Sequence, residues 1–162
     1  MAERLVNEHP VFVAEATLRD FPLRIWHRQL EHNQGLLREF QLMASTRPSD
    51  AVDDVPARLL EMAGLFIARY GQTMDHLTAQ RMAAYEAGME KFDSVVPLPA
   101  ETLDIVPRAV AMMREVDDYC RDGDLLTLAT PSDVLALQEW STSEILAQFQ
   151  GAAATPWAGP FD

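Results

Sequence analysis

The sequence predicts a mainly α, single-domain bundle of about five helices, and three observations carry that prediction. Apolar residues recur at spacings of three and four along most of the chain. Capping residues, prolines and glycines fall where helices of that period would start and stop. Two stretches break the period, 11–18 and 94–99, and they can form one short β pair.

The elements follow in order. Residues 1–10 are polar and read as loose. VFVAEATL (11–18) opens on β-branched residues and suits a short strand. From Pro22 a helical period takes over, with Trp26, Leu30, Asn33, Leu37, Phe40 and Ala44 on one stripe. TRPSDAVDD (46–54) has loop composition. Asp53 or Asp54 can then cap a helix with Pro56 in its first turn and Leu59, Met62, Ala63, Phe66 and Tyr70 on one side. Gly71 reads as its left-handed stop. Thr73 can cap a further helix, with Leu77, Met82, Tyr85, Met89 and Phe92 as its stripe.

SVVPLP (94–99) is held extended by two prolines. A helix follows from about Ala100 to Arg121, burying Leu103, Val106, Val110, Met113 and Val116. Pro107 either delays its start to near Asp104 or kinks it. Gly123 reads as its stop, and LLTLA bridges to Thr130-Pro131-Ser132-Asp133, which reads as threonine cap, proline in the first turn and an acid beyond. The last helix runs to about Gln150 and stops at Gly151. Residues 1–150 thus make one helical domain, and GAAATPWAGPFD (151–162) reads as a mobile tail.

Composition narrows function. The chain has 162 residues, 48% of them apolar, enough for a core without staples. Its 25 acids outweigh 13 bases, giving a charge of −12 that repels nucleic acid and anionic lipid. One cysteine excludes an internal disulfide and fits a reducing compartment. The start MAERLVNEHP lacks the order of a signal peptide, and no apolar run reaches the ~18 residues of a membrane span. These features predict a cytoplasmic protein.

Templates for chemistry fail one by one. EVDDYCRDGDLLTLATP (115–131) places Asp118, Cys120, Asp122 and Gly123 at positions one, three, five and six of a calcium loop. Position twelve, however, is Ala129 where a bidentate glutamate is needed. Cys120 stands among aspartates near a helix C-terminus, which opposes thiolate formation, so it reads as a packed, inert thiol. Glu-x-x-His and HExxH are absent, as are a phosphate-cradling glycine loop, a G-x-S-x-G elbow and a CxxC pair. Nothing asks for a cofactor or a metal.

RIWHRQLEHNQGLLREF (24–40) is the richest stretch. Arg24, Arg28 and Arg38 form a cationic face on an anionic chain, with Trp26 either an apolar anchor or part of the core. Those four residues are the expected contact surface for a protein partner, of unknown identity, or for a second copy. A different class of reading is a small-molecule sensor with a pocket near His27, Glu31, His32 and Asn33. A third is a helical-bundle metalloenzyme using His27, Glu31 and a histidine from elsewhere, such as His76.

LLREFQLMAS (36–45), VPARLLEMAGLFIARYG (55–71), VDDYCRDGDLLTLATP (116–131) and QEWSTSEILAQFQGAAATPW (138–157) resemble a poorly characterised actinobacterial family. Its members travel with partner-switching regulators: anti-sigma kinases of the histidine-kinase ATPase type, STAS antagonists and PP2C-like phosphatases. The resemblance spans most of the chain and implies a signalling context without catalytic residues. The chain lacks the ATP-binding boxes of the kinases. It is expected to be a non-enzymatic regulatory or interaction domain.

Overall fold

The computed structural model describes residues 9–46, 55–122 and 129–162. Among these lie six elements: β1 (Phe12–Pro22), α1 (Leu23–Thr46), α2 (Val55–Glu86), β2 (Lys91–Pro99), α3 (Thr102–Arg121) and α4 (Ser132–Phe149). The fold is mainly helical, and none of the described helices is long and apolar enough to cross a membrane.

The short β pair forms. β1 and β2 run antiparallel with Ala16 opposite Val96 and Leu18 opposite Ser94. The strands are longer than their sequence signals, and their register breaks twice, between Phe12 and Ala14 and between Leu18 and Phe21. The second break holds Asp20 at φ 53, a left-handed conformation that aspartate tolerates better than most residues. Its backbone N–H donates to Asp93 Oδ1 at 2.9 Å and its carboxylate meets Lys91 at 3.1 Å.

Each outer edge of this two-stranded sheet is blocked at one point. On β1, Thr17 N–H donates to Gln148 Oε1 at 2.8 Å, and Gln148 Nε2 donates back to Thr17 O at 3.0 Å. Thr17 therefore points its backbone outward. Its partner Val95, and Pro97 two residues on, share that outward phase on β2, where proline offers no N–H to a stray strand.

Among the described residues four helices stand where about five were expected, because Gly71 does not stop anything. α2 continues through it to Glu86, absorbing the segment that Thr73 was to cap. A left-handed stop needs positive φ. Gly88 (φ 78) and Gly151 (φ 97) adopt it, and Gly71 does not. Gly88 N–H donates to Tyr85 O and Met89 N–H to Ala84 O, the paired bonds that close a helix end. The same pair recurs from Gly151 to Gln148 and from Ala152 to Ala147, so the stop expected at Gly151 forms. With α2 ending early, Met89 lies in the turn and Phe92 in β2.

α3 starts at Thr102 and carries Pro107 inside it. The bond lost there is the one to Leu103 O, and Leu103 is exposed, so water can replace it. Leu103 was expected in the core. The buried side of α3 instead carries Thr102, Asp117 and Cys120. Thr130 does not cap α4. Pro131 takes that place, and Thr130 N–H donates to Asp117 Oδ1 at 2.7 Å. The expected cap at Asp53 or Asp54 and the stop at Gly123 lie outside the described residues.

The core is built around the sheet and the joined ends of α1 and α4. Leu18, Phe21, Leu23, Ile25, Trp26, Val134 and Leu137 are buried together, and Trp157 joins them. Within the stretch 151–162, expected as a mobile tail, Trp157 is thus buried. Trp157 N–H donates to Arg19 O at 3.0 Å, and its ring stands edge-on to Trp140 with centroids 5.3 Å apart. Its Nε1 donates to Pro160 O at 2.8 Å, and Gly159 lies so close beneath the indole that a Cβ there would sit 2.4 Å from it. Glu144, buried on α4, accepts from Thr155 N–H and from Gln148. A second cluster, Leu36, Phe40, Leu59 and Cys120, joins α1, α2 and α3.

Candidate functional site

α1 distributes the residues singled out in the sequence rather than gathering them. Trp26 is 5% exposed and sits in the core, so it cannot serve as a partner's anchor. Arg28 is ion-paired to Asp133 at the start of α4, where the acid also complements the helix dipole. Arg24 and Arg38 are exposed, and Arg38 Nε donates to Gln34 O of its own helix.

The proposed histidine pocket does not assemble either. His27 stacks on Tyr85 with centroids 4.4 Å apart and planes 6° from parallel, its Nδ1 3.9 Å from Glu31. Asn33, placed on the apolar stripe by period, is exposed. The inner face of α1 keeps Phe40 from that stripe and takes Leu36 beside it, with His32 in the turn before. His32 Nε2 lies 3.2 Å from Thr130 Oγ1, and burial lowers its pKa against an opposing pull from Asp117. His76 is exposed beside Gln80. Among the described residues no three histidine, cysteine, aspartate or glutamate side chains gather as a metal site would require. Cys120 is buried, and burial, then Asp117 and Glu39, push its thiol up to about 11, so it is an unreactive packed group.

The concave site lies elsewhere. A cavity of about 140 Å³ opens between α2, β2 and α3. Phe66, Tyr70, Met74 and Leu77 form one wall along α2, spaced three and four apart so that they share a face. Val96 to Pro99 form the second wall, and Thr102, Ile105 and Val106 the third. Phe12, Thr73 and Ile145 complete the lining.

The Tyr70 and Thr102 hydroxyls of that lining are turned to other partners. Tyr70 O–H donates to Glu101 Oε1 at 2.7 Å, and Arg69 is ion-paired to the same carboxylate. Burial, with the bond to Glu101, pushes the Tyr70 phenol up to about 12. Partial burial alone would raise the Glu101 carboxyl, but hydrogen bonds from Tyr70 and Arg69 outweigh it and hold the carboxyl below its ordinary range. Thr102 Oγ1 donates to Pro99 O at 2.6 Å. Among the described residues the lining carries no charged side chain, only the hydroxyls of Tyr70, Thr73 and Thr102. It suits the reception of apolar groups.

Its rim is apolar as well. Phe12 and Met74 line the cavity and are still 41% and 42% exposed. Val11, Val13, Ile67 and Leu103, next to lining residues in the chain, are exposed too. The sequence reading missed this site because its walls come from three segments that each look like ordinary core. The one available signal was a surplus of apolar positions on 59–77, wider than a single stripe needs.

Compared with models of known protein families, with curated proteins and with solved structures, the chain matches none of them.

Proposed function

We propose that this chain is a non-enzymatic protein-interaction domain of a cytoplasmic bacterial signalling pathway, and that its partner docks over the groove between α2, β2 and α3. The observation that carries the reading is the cavity whose own rim, at Phe12 and Met74, is apolar and open to solvent. Contiguous exposed apolar surface costs solubility unless a partner covers it. The resemblance to companions of partner-switching regulators supports the signalling context.

The contact surface moves away from α1 for a physical reason. Arg28 is held by Asp133 and Trp26 by the core, which leaves only Arg24 and Arg38 of the four residues first considered. The test is a photo-crosslinking amino acid placed at Met74 in one strain and at Arg24 in another, in the native host. A protein crosslinked at Met74, and lost when Phe12→Glu is added, is the expected result. Crosslinking from Arg24 alone would transfer the interface to α1 and reject the groove.

A further inference from the structure

We propose that Arg81 and Ser94, bonded to each other across α2 and β2, form a binding site for one carboxylate group supplied from outside the chain. The inference is independent of the groove. Among the described residues three arginines are not exposed, Arg28, Arg69 and Arg81. Arg28 is ion-paired to Asp133 and Arg69 to Glu101. Arg81 alone of the three has no carboxylate partner among the described residues.

Its guanidinium is nevertheless held in place. The carbon at its centre lies 4.3 Å from the Phe21 ring centroid and 6.0 Å from that of Trp26. Nε donates to Ser94 Oγ at 3.0 Å, and Ser94 is 1% exposed. Stacking and this bond set the plane of the guanidinium before any ligand arrives, so little side-chain freedom remains to be lost on binding. Ring faces attract a cation but do not neutralise it. Burial lowers the Arg81 pKa to about 10, with no acid acting against it, so the group is charged at neutral pH without a counter-ion. Asp93, beside Ser94 on β2, is exposed and accepts from Asp20 N–H, and Asp20 pairs with Lys91. A partly desolvated charge attracts an opposite one more strongly than a fully hydrated charge does.

The free edge of the guanidinium names the ligand class. Nη1 and Nη2 donate to none of the described residues. Trp140 Nε1 is the one sealed side-chain nitrogen or oxygen without a partner among the described residues, so both Nη atoms meet water. The Ser94 hydroxyl proton also has no acceptor among them. With Phe21 against the guanidinium face and Nε committed, the Nη pair remains, and its parallel N–H groups match the two oxygens of a carboxylate. Charge makes the same choice. One guanidinium balances one carboxylate, whereas a phosphate dianion would bring an unbalanced charge to a chain already at −12.

The experiment follows the arginine Nε–H resonances of the full chain at about pH 6, where acetate is ionised. Sodium acetate is titrated against sodium chloride at equal ionic strength, and inorganic phosphate is titrated separately. The Arg81 signal is expected to shift and saturate with acetate but not with chloride, while Arg28 and Arg69, already paired, stay in place. Arg81→Lys keeps the charge and loses the planar fork, so acetate binding read at the Ser94 amide should weaken about tenfold or more. The reporter in the unaltered chain is Arg81 itself, so the outcome stands even if that variant fails to fold. A shift that does not saturate, or equals that in chloride, or saturates at lower phosphate than acetate, overturns the proposal. Native mass spectrometry of the chain from its own host then separates the sources. A carboxylic acid retained by the unaltered chain and lost from Arg81→Lys is a free ligand; a bare chain that binds acetate assigns the carboxylate to an aspartate or glutamate of a protein partner.

Discussion

Replacing Trp157 by alanine separates a packed C-terminal segment from a mobile one. The residue is 8% exposed, so folding removes nearly all of its surface from water. A tryptophan buries on the order of 200 Å², which at ~25 cal/mol per Å² gives about 4–5 kcal/mol, an upper bound because the denatured chain is already partly compact. Core tryptophan truncations cost ~3–5 kcal/mol. The Nε1 bond to Pro160 O and the edge-on contact with Trp140 are lost with the ring, while the backbone bond from Trp157 N–H to Arg19 O can persist. Urea unfolding followed by circular dichroism is the assay. With a slope of ~2 kcal/mol per M, the midpoint should fall by about 2 M. A change within ~0.5 kcal/mol, the range of ordinary surface substitutions, would refute the packing of residues 151–162 against β1 and α4.

Three further outcomes follow from particular contacts. Gly71→Ala should stabilise by ~0.5–1 kcal/mol, since Gly71 is interior to α2 and the new Cβ meets Ile67 at an ordinary 3.4 Å, whereas Gly88→Ala should cost ~1–2 kcal/mol by straining a left-handed residue; thermal melts that rank the two the other way would restore Gly71 as a stop. His32, its pKa lowered by burial, stays neutral in the fold while the unfolded chain takes up a proton as pH falls through ~6.5. Stability should therefore drop from pH 7 downward until the lowered folded value is reached, and His32→Gln should flatten that slope; equal slopes would refute the burial of His32. Arg28→Glu should destabilise the domain by setting two carboxylates together at Asp133, while Arg24→Glu should stay within ~0.5 kcal/mol; equal unfolding midpoints would show that the Arg28–Asp133 pair is not made.

Local signals were legible where the chemistry that acts is itself local. The strand pair over 11–18 and 94–99, the proline in the first turn of α2 and the glycine stop at Gly151 depend on the φ preferences and hydrogen bonds of residues a few positions apart. A helix period also gives a face, but only to within a residue. On α1 the sequence stripe placed Phe40 correctly but chose Asn33 and Leu37, and packing against α2 and α3 turned Leu36 inward beside Phe40, with Asn33 left to water. For Cys120 the adjacent acids gave the right direction, since Asp117 does act on the thiol, but burial is the larger cause and Glu39 comes from another helix, and both are supplied by packing alone.

The sequence by itself therefore determined a mainly helical chain, most of its element boundaries and the absence of a familiar catalytic template. Tertiary structure alone decided which glycine bends the chain, because helix continuation at Gly71 depends on the helix formers beyond it and on what α2 packs against. It alone folded Trp157 back onto β1, since a lone tryptophan after a helix stop carries no record of the hole it fills. It also made the cavity. Phe12, Tyr70, Pro97, Val106 and Ile145 meet only when β1 pairs with β2 and the helices pack around them, and a surface assembled from five separated segments has no signature in any one of them.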